Sequence, residues 1–506
     1  MPITSLHQQY KEQQDRWRSC RDVIAGEFRV KDPDYITLYL PVPPAMQSDL
    51  GELTSRYTFY STFAELPEIT LPMSEGIQGL IHDKAPEYNL PSKMAYLEKS
   101  ATLDGDSLLE LWQLVTREVF YTGRISLLAE IRGGRSVQGD QVCLCPYAAE
   151  SLINWRLQKQ IEGGAATLVV LDELQWVSKD EDPYEQEEQH QWRELSLDEA
   201  GRYRVRVWEE AIDTTEGKSK TIQQVVMQEG ADADGWVYPL RVGQAFNRIP
   251  LTVVNATDRG FQYGPVPVWP LAKRALSIFR LNADYRRALY TKADPTPYVF
   301  GVHADDVPRK IGGDTVWAFE NPDGKAGYLD IDGDGIPLQR AEIELEYERF
   351  WAEAGHMLET SAKGVEAAEA LRIRQNMKQV SVKTLVKNAA DGMQEALRSV
   401  GRMLGLSDSE VESITFTPNL EFSETALNGR ELLEMMQAKN QGAPISLKTI
   451  HGHMNRRRMT DMEYEAELSE IDGEGPDLGL AGRDTLQQDT SHLMVPDTDN
   501  TPAQGA

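Results

Sequence analysis

From about Val365 to Leu404 the chain carries one continuous helical pattern, with Val382, Leu385, Ala389, Met393, Leu397, Val400 and Leu404 on a single stripe. Apolar residues returning at spacings of three and four mark one face of an α-helix. This stretch is far longer than the three or four turns usual in globular proteins, so any fold that holds it must supply an apolar surface along its length. A shorter helical pattern, Glu342 to about Leu358, precedes it. Further upstream, after Pro265, Pro267 and Pro270, a helix is predicted over Leu271 to about Lys292. Its apolar positions are Leu271, Ala275, Ile278, Leu281, Tyr285 and Leu289, and Pro295 and Pro297 end it.

The segment from Ala166 to Val254 changes period. Thr167 to Leu171, Tyr203 to Trp208, Thr221 to Met227 and Ile249 to Val254 read as strands separated by acidic or Gly- and Pro-containing turns, which predicts an antiparallel sheet. Before it, Ser107 to Tyr121 reads as a helix capped by Asp106 and ended near Gly123, leading into the strand-like Ile125 to Ile131. The first 99 residues, rich in Pro and Tyr, predict a packed but loop-rich lobe. Lys310 to Gly335 contains Gly312-Gly313, Asn321-Pro-Asp-Gly324 and Asp332-Gly-Asp-Gly335, turn chemistry that predicts a long loop. Residues 471–506 offer little to bury and are expected to be disordered unless a partner orders them. The class is therefore mixed α+β.

At 506 residues the chain exceeds the roughly 150 of a typical domain and should hold several substructures. No run approaches the ~20 apolar residues of a bilayer span, and the polar Met1 to Tyr10 does not resemble a secretory signal. Three cysteines, Cys20, Cys143 and Cys145, point to a reducing compartment such as the bacterial cytoplasm. Lys and Arg number 52 against 80 Asp and Glu, a formal net charge of -28. A protein that grips phosphates needs the opposite balance, so this one either avoids nucleic acid or handles it without holding on.

Catalytic signatures are missing: no phosphate loop ending in Gly-Lys-Ser/Thr, no His-Glu-x-x-His and no Gly-x-Ser-x-Gly elbow. Cys143 and Cys145 would share one face of a strand, but no second ligand pair has suitable spacing for a metal. His451 and His453 also lack further ligands, and with Gly452 and Arg456-Arg-Arg458 they read as a polar segment between helices. Asp330, Asp332 and Asp334 with Gly335 imitate the start of a calcium loop, yet its twelfth position is Ala341 and Pro337 interrupts it, so an acidic turn is the plainer reading. The helix after Pro270 is basic, with Lys273, Arg280 and Arg287 recurring every seven residues along one stripe. That stripe is either solvated and ion-paired with the chain's own carboxylates, or an edge that meets neighbouring copies or passing DNA.

In this order of elements, short blocks carry a family resemblance. They are Glu118-Val-Phe-Tyr-Thr-Gly-Arg124, Pro146-Tyr147 with Ile153-Asn-Trp-Arg156, Leu168 to Glu173, Arg248-Ile-Pro250, Ala283-Asp-Tyr285 and Pro295-Thr-Pro297 leading to Gly301. With them the chain resembles the portal proteins of tailed bacteriophages, in a divergent portal-like group. The resemblance implies a ring, usually of twelve subunits, with wing, stem, clip and crown regions around a central channel. It assigns 1–165 to an N-terminal wing region, 166–254 to a β-rich wing and clip region, 265–293 to a stem helix and 294–345 to a wing segment. Within that segment, 310–335 would lie near the tunnel loop, with Gly312, Gly313, Asp314, Asp323 and Gly324 as its candidates. Residues 346–470 would lead from wing to crown. The implied partners are other copies of the chain, the terminase large subunit, head-tail adaptor or connector proteins, and the major capsid or scaffolding protein. Double-stranded DNA would pass without sequence readout, at the capsid vertex of a virion assembled in a bacterial host. No cofactor, membrane or catalysis is implied. The rivals are another phage structural protein, such as a head-tail adaptor or minor capsid component, and a hydrolase using Asp332 and Asp334.

Overall fold

A computed structural model describes residues 2–47, 53–132, 142–158, 166–178, 184–213, 220–241, 244–257, 260–301, 303, 317–318, 321–329, 333–354, 368–420, 437–439, 446–456 and 462–473. Residues 1–420 form one compact unit and residues 421–506 another. The N-terminal lobe is more helical than its Pro- and Tyr-rich sequence predicts. It holds α1 (Gln8–Ala25), the single turns α2 (Glu27–Val30), α3 (Ile36–Tyr39) and α4 (Pro44–Gln47), then α5 (Leu53–Phe63) and α6 (Thr70–Ile81). In α1 the apolar positions that matter, Trp17, Cys20, Val23 and Ile24, occupy only its second half and are all buried. The polar first half hides the period.

After the short strand β1 (Glu87–Asn89), α7 (Leu108–Thr122) begins at Ser107 instead of Asp106. Ser107 Oγ accepts from the Glu110 amide at 3.2 Å while the Glu110 carboxylate accepts from the Ser107 amide at 2.7 Å, a reciprocal capping box. Asp106 instead accepts from the Thr102 hydroxyl. Gly123 ends α7 at φ 85°, a left-handed conformation that glycine adopts without cost.

Two sheets follow. Strand β2 (Arg124–Ile131) is flanked by β3 (Val142–Tyr147) and, from far along the chain, by β11 (Leu251–Asn255), giving the order β11-β2-β3. The second sheet is antiparallel in the order β4-β5-β6-β7-β8, from β4 (Leu152–Leu157), β5 (Ala166–Ser178), β6 (Gln186–Leu197), β7 (Tyr203–Asp213) and β8 (Lys220–Val225). The expected antiparallel sheet is therefore present, but it begins upstream of residue 166, and the strand expected at 249–254 joins the other sheet. Leu128, Cys143 and Cys145 of the first sheet pack with Leu152, Val169, Leu171 and Leu195 of the second. On the outer face of the larger sheet Ile3, Leu6 and Tyr10 cover Ile153, Val170 and Trp192. Pairing of β6 with β7 stops at Gln191 and Glu209, whereas β5 and β6 continue to Ser178 and Gln186, leaving an exposed two-stranded ribbon. A small pair, β9 (Leu240–Arg241) and β10 (Gln244–Ala245), precedes β11.

The Pro-bracketed helix is α8 (Trp269–Ala293), two residues longer at its start than the pattern indicates. Two parts of the expected loop at 310–335 are ordered elements. β13 (Lys325–Leu329) pairs with β12 (Thr296–Phe300), and α9 (Gly335–Ala354) starts at Gly335 instead of Glu342. The long helix is α10 (Ala368–Leu404), followed by α11 (Asp408–Glu412) and β14 (Thr415–Thr417), which pairs with β1. α10 lies on the smaller sheet. At Gly392 a Cβ would stand 2.8 Å from Val254, so glycine sets how closely that helix approaches β11. In the second unit, α12 (Leu447–Arg456) and α13 (Tyr464–Gly473) form a helical pair, so the segment around His451 is itself helical and not a connector. The expectation for 471–506 falls almost wholly outside the described residues.

Candidate functional site

The candidate site is a projecting arm built from α8, the β12–β13 hairpin and α9. At 1.5 Å per residue the 25 residues of α8 span about 37 Å. All seven of its buried residues, Leu271 to Ala283, precede its last ten residues. In α9 the buried residues are Ile343, Glu346, Phe350 and Ala354, on the turns that face the first half of α8. The two helices are therefore cored together at their base, while towards the hairpin α8 rests on the N-terminal lobe, where Tyr290 meets Phe59 edge-on at 4.9 Å.

The base is pinned by charge. Arg274 reaches Glu346 at 3.2 Å and Glu353 at 2.9 Å, and Arg349 also pairs with Glu346. Burial alone would raise the Glu346 carboxyl, but hydrogen bonds and charge from Arg349 and Arg274 outweigh it and hold its pKa below the usual glutamate range. The middle of α8 is fastened to the N-terminal lobe. Arg280 Nε donates to the Tyr39 carbonyl at 2.7 Å, Tyr60 donates to Asp284 at 2.8 Å, and Arg286 pairs with Glu65. The Arg287 guanidinium lies 5.8 Å from the centre of the Tyr60 ring. Of the predicted basic stripe, Arg280 and Arg287 are thus engaged within the subunit, while Lys273 is exposed and has no partner among the described residues.

The arm also displays apolar side chains to solvent. Phe300 is 65% exposed, Tyr328 57%, Leu329 60% and Leu338 73%, with Leu289, Tyr290, Tyr298 and Leu345 also exposed. An isolated two-stranded hairpin is at best marginally stable in water, and β12–β13 has no third strand among the described residues. On α9, Leu338, Ala341 and Leu345 recur at spacings of three and four. They lie two residues on from Ile336, Gln339 and Ile343, which at 100° per residue puts them on the opposite face from the buried stripe. The helix predicted from Glu342 leaves Leu338 and Ala341 outside it, which hides this second stripe in the sequence.

The other predicted site residues do not assemble. Asp330, Asp332, Gly312, Gly313 and Asp314 lie outside the described residues. Asp323 and Gly324 form the turn before β13, their amides donating to Asn321 at 3.0 and 2.9 Å. Asp334 immediately precedes α9, so helix formation uses the backbone that a calcium loop would need. Among the described residues no cluster of His, Cys, Asp and Glu could hold a metal ion. His451 is buried against Glu467 at 2.8 Å. The thiols of Cys143 and Cys145 are buried, and contact with Cys143, burial and nearby Glu130 hold Cys145 protonated. Between the sheets, a cavity of about 350 Å³ is lined by Glu130, Arg193, Tyr203 and Val207. Its one guanidinium is committed: Arg193 pairs with Glu130 and Glu173, and Tyr147 donates to Glu173 at 2.7 Å. Among the described residues no helix is long and apolar enough to cross a membrane.

A family described as a domain of unknown function, DUF4055, matches residues 267–402, which is the arm together with nearly all of α10. No curated protein matches the sequence. Among solved structures, a chain from the neck of an empty GTA particle computed with C6 symmetry is similar at a TM-score of 0.36 and 11% identity, covering 80% of this chain and 92% of that one. A chain from the neck of a native GTA particle computed with C12 symmetry gives a TM-score of 0.36 and 13% identity, covering 81% and 93%. At these scores the backbones diverge too far for residue-by-residue correspondence.

Proposed function

We propose that the chain is a structural subunit of the head-tail connector of a tailed phage or phage-like particle, and within that class a portal-like subunit whose copies close into a ring. The observation that carries the reading is α9, apolar on two opposite faces, one packed on α8 and the other left to solvent beside an uncovered hairpin. Copies arranged side by side about an axis would cover the second face of each arm with its neighbour, as cyclic symmetry requires of one repeated interface.

In this reading α8 and α9 together make the stem, and the hairpin at their far end takes the clip position that the sequence resemblance gives to residues upstream of α8. Terminase, adaptor and capsid or scaffolding proteins would dock on the assembled ring. Double-stranded DNA would pass through the hole. A net charge of -28 suits a channel that must not hold phosphates, since each strong contact would have to be broken at every step of translocation. The subunit catalyses nothing itself, and a separate motor supplies the energy. Negative-stain imaging of the purified full-length protein tests this: closed rings with a central hole are expected, and single compact particles would overturn the proposal.

A further inference from the structure

Arg124, the first residue of β2, is 1% exposed. Its guanidinium lies over the Tyr263 ring at 4.5 Å and the Trp155 ring at 5.5 Å from their centres. Nη1 donates to the Phe261 carbonyl at 3.4 Å; Tyr263 is its polar neighbour, but among the described residues neither Nε nor Nη2 has a hydrogen bond of acceptable geometry. Burial is the main influence on its proton affinity and lowers the pKa to about 10, partly opposed by Tyr263; no carboxylate among the described residues contributes. At neutral pH the interior therefore holds a whole positive charge with no opposite charge beside it among the described residues. Guanidinium groups do not shed their proton to escape this, and a buried charge is ordinarily paired.

The surroundings share the deficit. Ser126 lies two residues along β2, on the same face as Arg124, and Asn255 is paired with Arg124 across the β11–β2 ladder. Ser126 Oγ, Asn255 Oδ1 and the Tyr263 hydroxyl are all buried without a hydrogen bond of acceptable geometry. The enclosure is held from outside by aromatic contacts. His7 stacks on Trp155 at 3.8 Å, and Trp17 meets Tyr263 edge-on at 5.2 Å. Arg124, Ser126 and Tyr263 can all donate here, and although the two hydroxyls and Asn255 Oδ1 can also accept, none of these acceptors carries a charge.

We infer that a small monovalent inorganic anion of chloride size sits among Arg124, Ser126 and Tyr263 as the counter-ion of the buried guanidinium. Water would satisfy the hydrogen bonds but leave the charge uncompensated. The enclosure by aromatic rings favours a compact ion over an oxyanion with a wider shell. The site would tie the 260–263 loop to the start of β2, and it stands independently of the proposed ring.

The test is thermal unfolding of the full-length protein over a chloride titration at constant ionic strength, balanced with isethionate, which is too large to enter. The midpoint should rise with chloride and saturate, and bromide should substitute. Tyr263→Phe and Ser126→Ala each remove one donor while keeping the charge and the shape, and each should move the saturating concentration up by roughly tenfold. Arg124→Met should abolish the dependence, and if that variant does not fold the two conservative ones decide. In crystals grown with bromide, an anomalous peak should lie beside Arg124. A midpoint indifferent to chloride, or bromide-grown crystals showing only water there, would overturn the inference.

Discussion

Replacing Glu346 with glutamine removes the negative charge at the base of the arm while keeping the side chain's shape. Glu346 is 4% exposed and accepts from Arg274 Nη1 at 3.2 and 3.4 Å as well as from Arg349. Breaking a buried ion pair costs ~3–5 kcal/mol when the remaining charge is stranded. Here neither arginine is stranded, because Arg274 keeps Glu353 at 2.9 Å, and Arg349 keeps Glu342 at 3.1 Å and is 43% exposed. The loss reduces to exchanging charge-assisted hydrogen bonds for weaker neutral ones, about 2 kcal/mol in total. Hydrogen exchange of peptides covering Gly335–Ala354 should quicken accordingly in Glu346→Gln, and urea unfolding should shift to a lower midpoint. The pH dependence has a definite sign. A carboxyl whose folded pKa is depressed contributes stability that is present above its unfolded pKa and is lost as pH falls through the folded value. The wild-type arm should therefore loosen below the ordinary glutamate range, and Glu346→Gln should lack that component. A change under about 0.5 kcal/mol, with unaltered exchange in α9, would refute the pinning role.

Four further outcomes are expected. Leu338→Glu combined with Leu345→Glu should prevent self-association, while monomer stability changes by no more than ~0.5 kcal/mol per site, checked by molar mass and circular dichroism. Gly123→Ala places a side chain at φ 85° and 3.0 Å from the Pro265 carbonyl, so thermal unfolding should report a loss of at least ~1–2 kcal/mol. Phe350→Ala, at a fully buried position between α8 and α9, should cost ~3–5 kcal/mol in chemical denaturation. Adding a calcium chelator should leave the melting temperature unchanged.

The sequence discloses the elements whose apolar period is undisturbed, namely α8 between its prolines, α10 with its long stripe, and β2, β5, β7 and β8. It hides those stabilised by pairing or by one end only. The far half of β6 reads Gln-Glu-Glu-Gln-His-Gln and has no apolar alternation, because it belongs to an exposed ribbon held by β5. β12 and β13 are short, one contains Pro297, and both lie within or beside turn-rich sequence, so only their mutual register reveals them. The arm was half legible. Its basic residues stand out in an acidic chain, but that Arg274, Arg280 and Arg286 are spent on Glu346, Tyr39 and Glu65 depends on neighbours remote in sequence. Leu338 and Leu345 carried the useful signal, an apolar stripe that becomes visible once α9 is started at Gly335.

The most direct measurement is the solution molar mass of the full-length protein by light scattering across a range of concentrations. The account predicts a closed assembly of many 57.0 kDa chains, reduced to monomer by the paired Leu338 and Leu345 substitutions. A folded wild-type protein that stays at the mass of one chain at every concentration would contradict it.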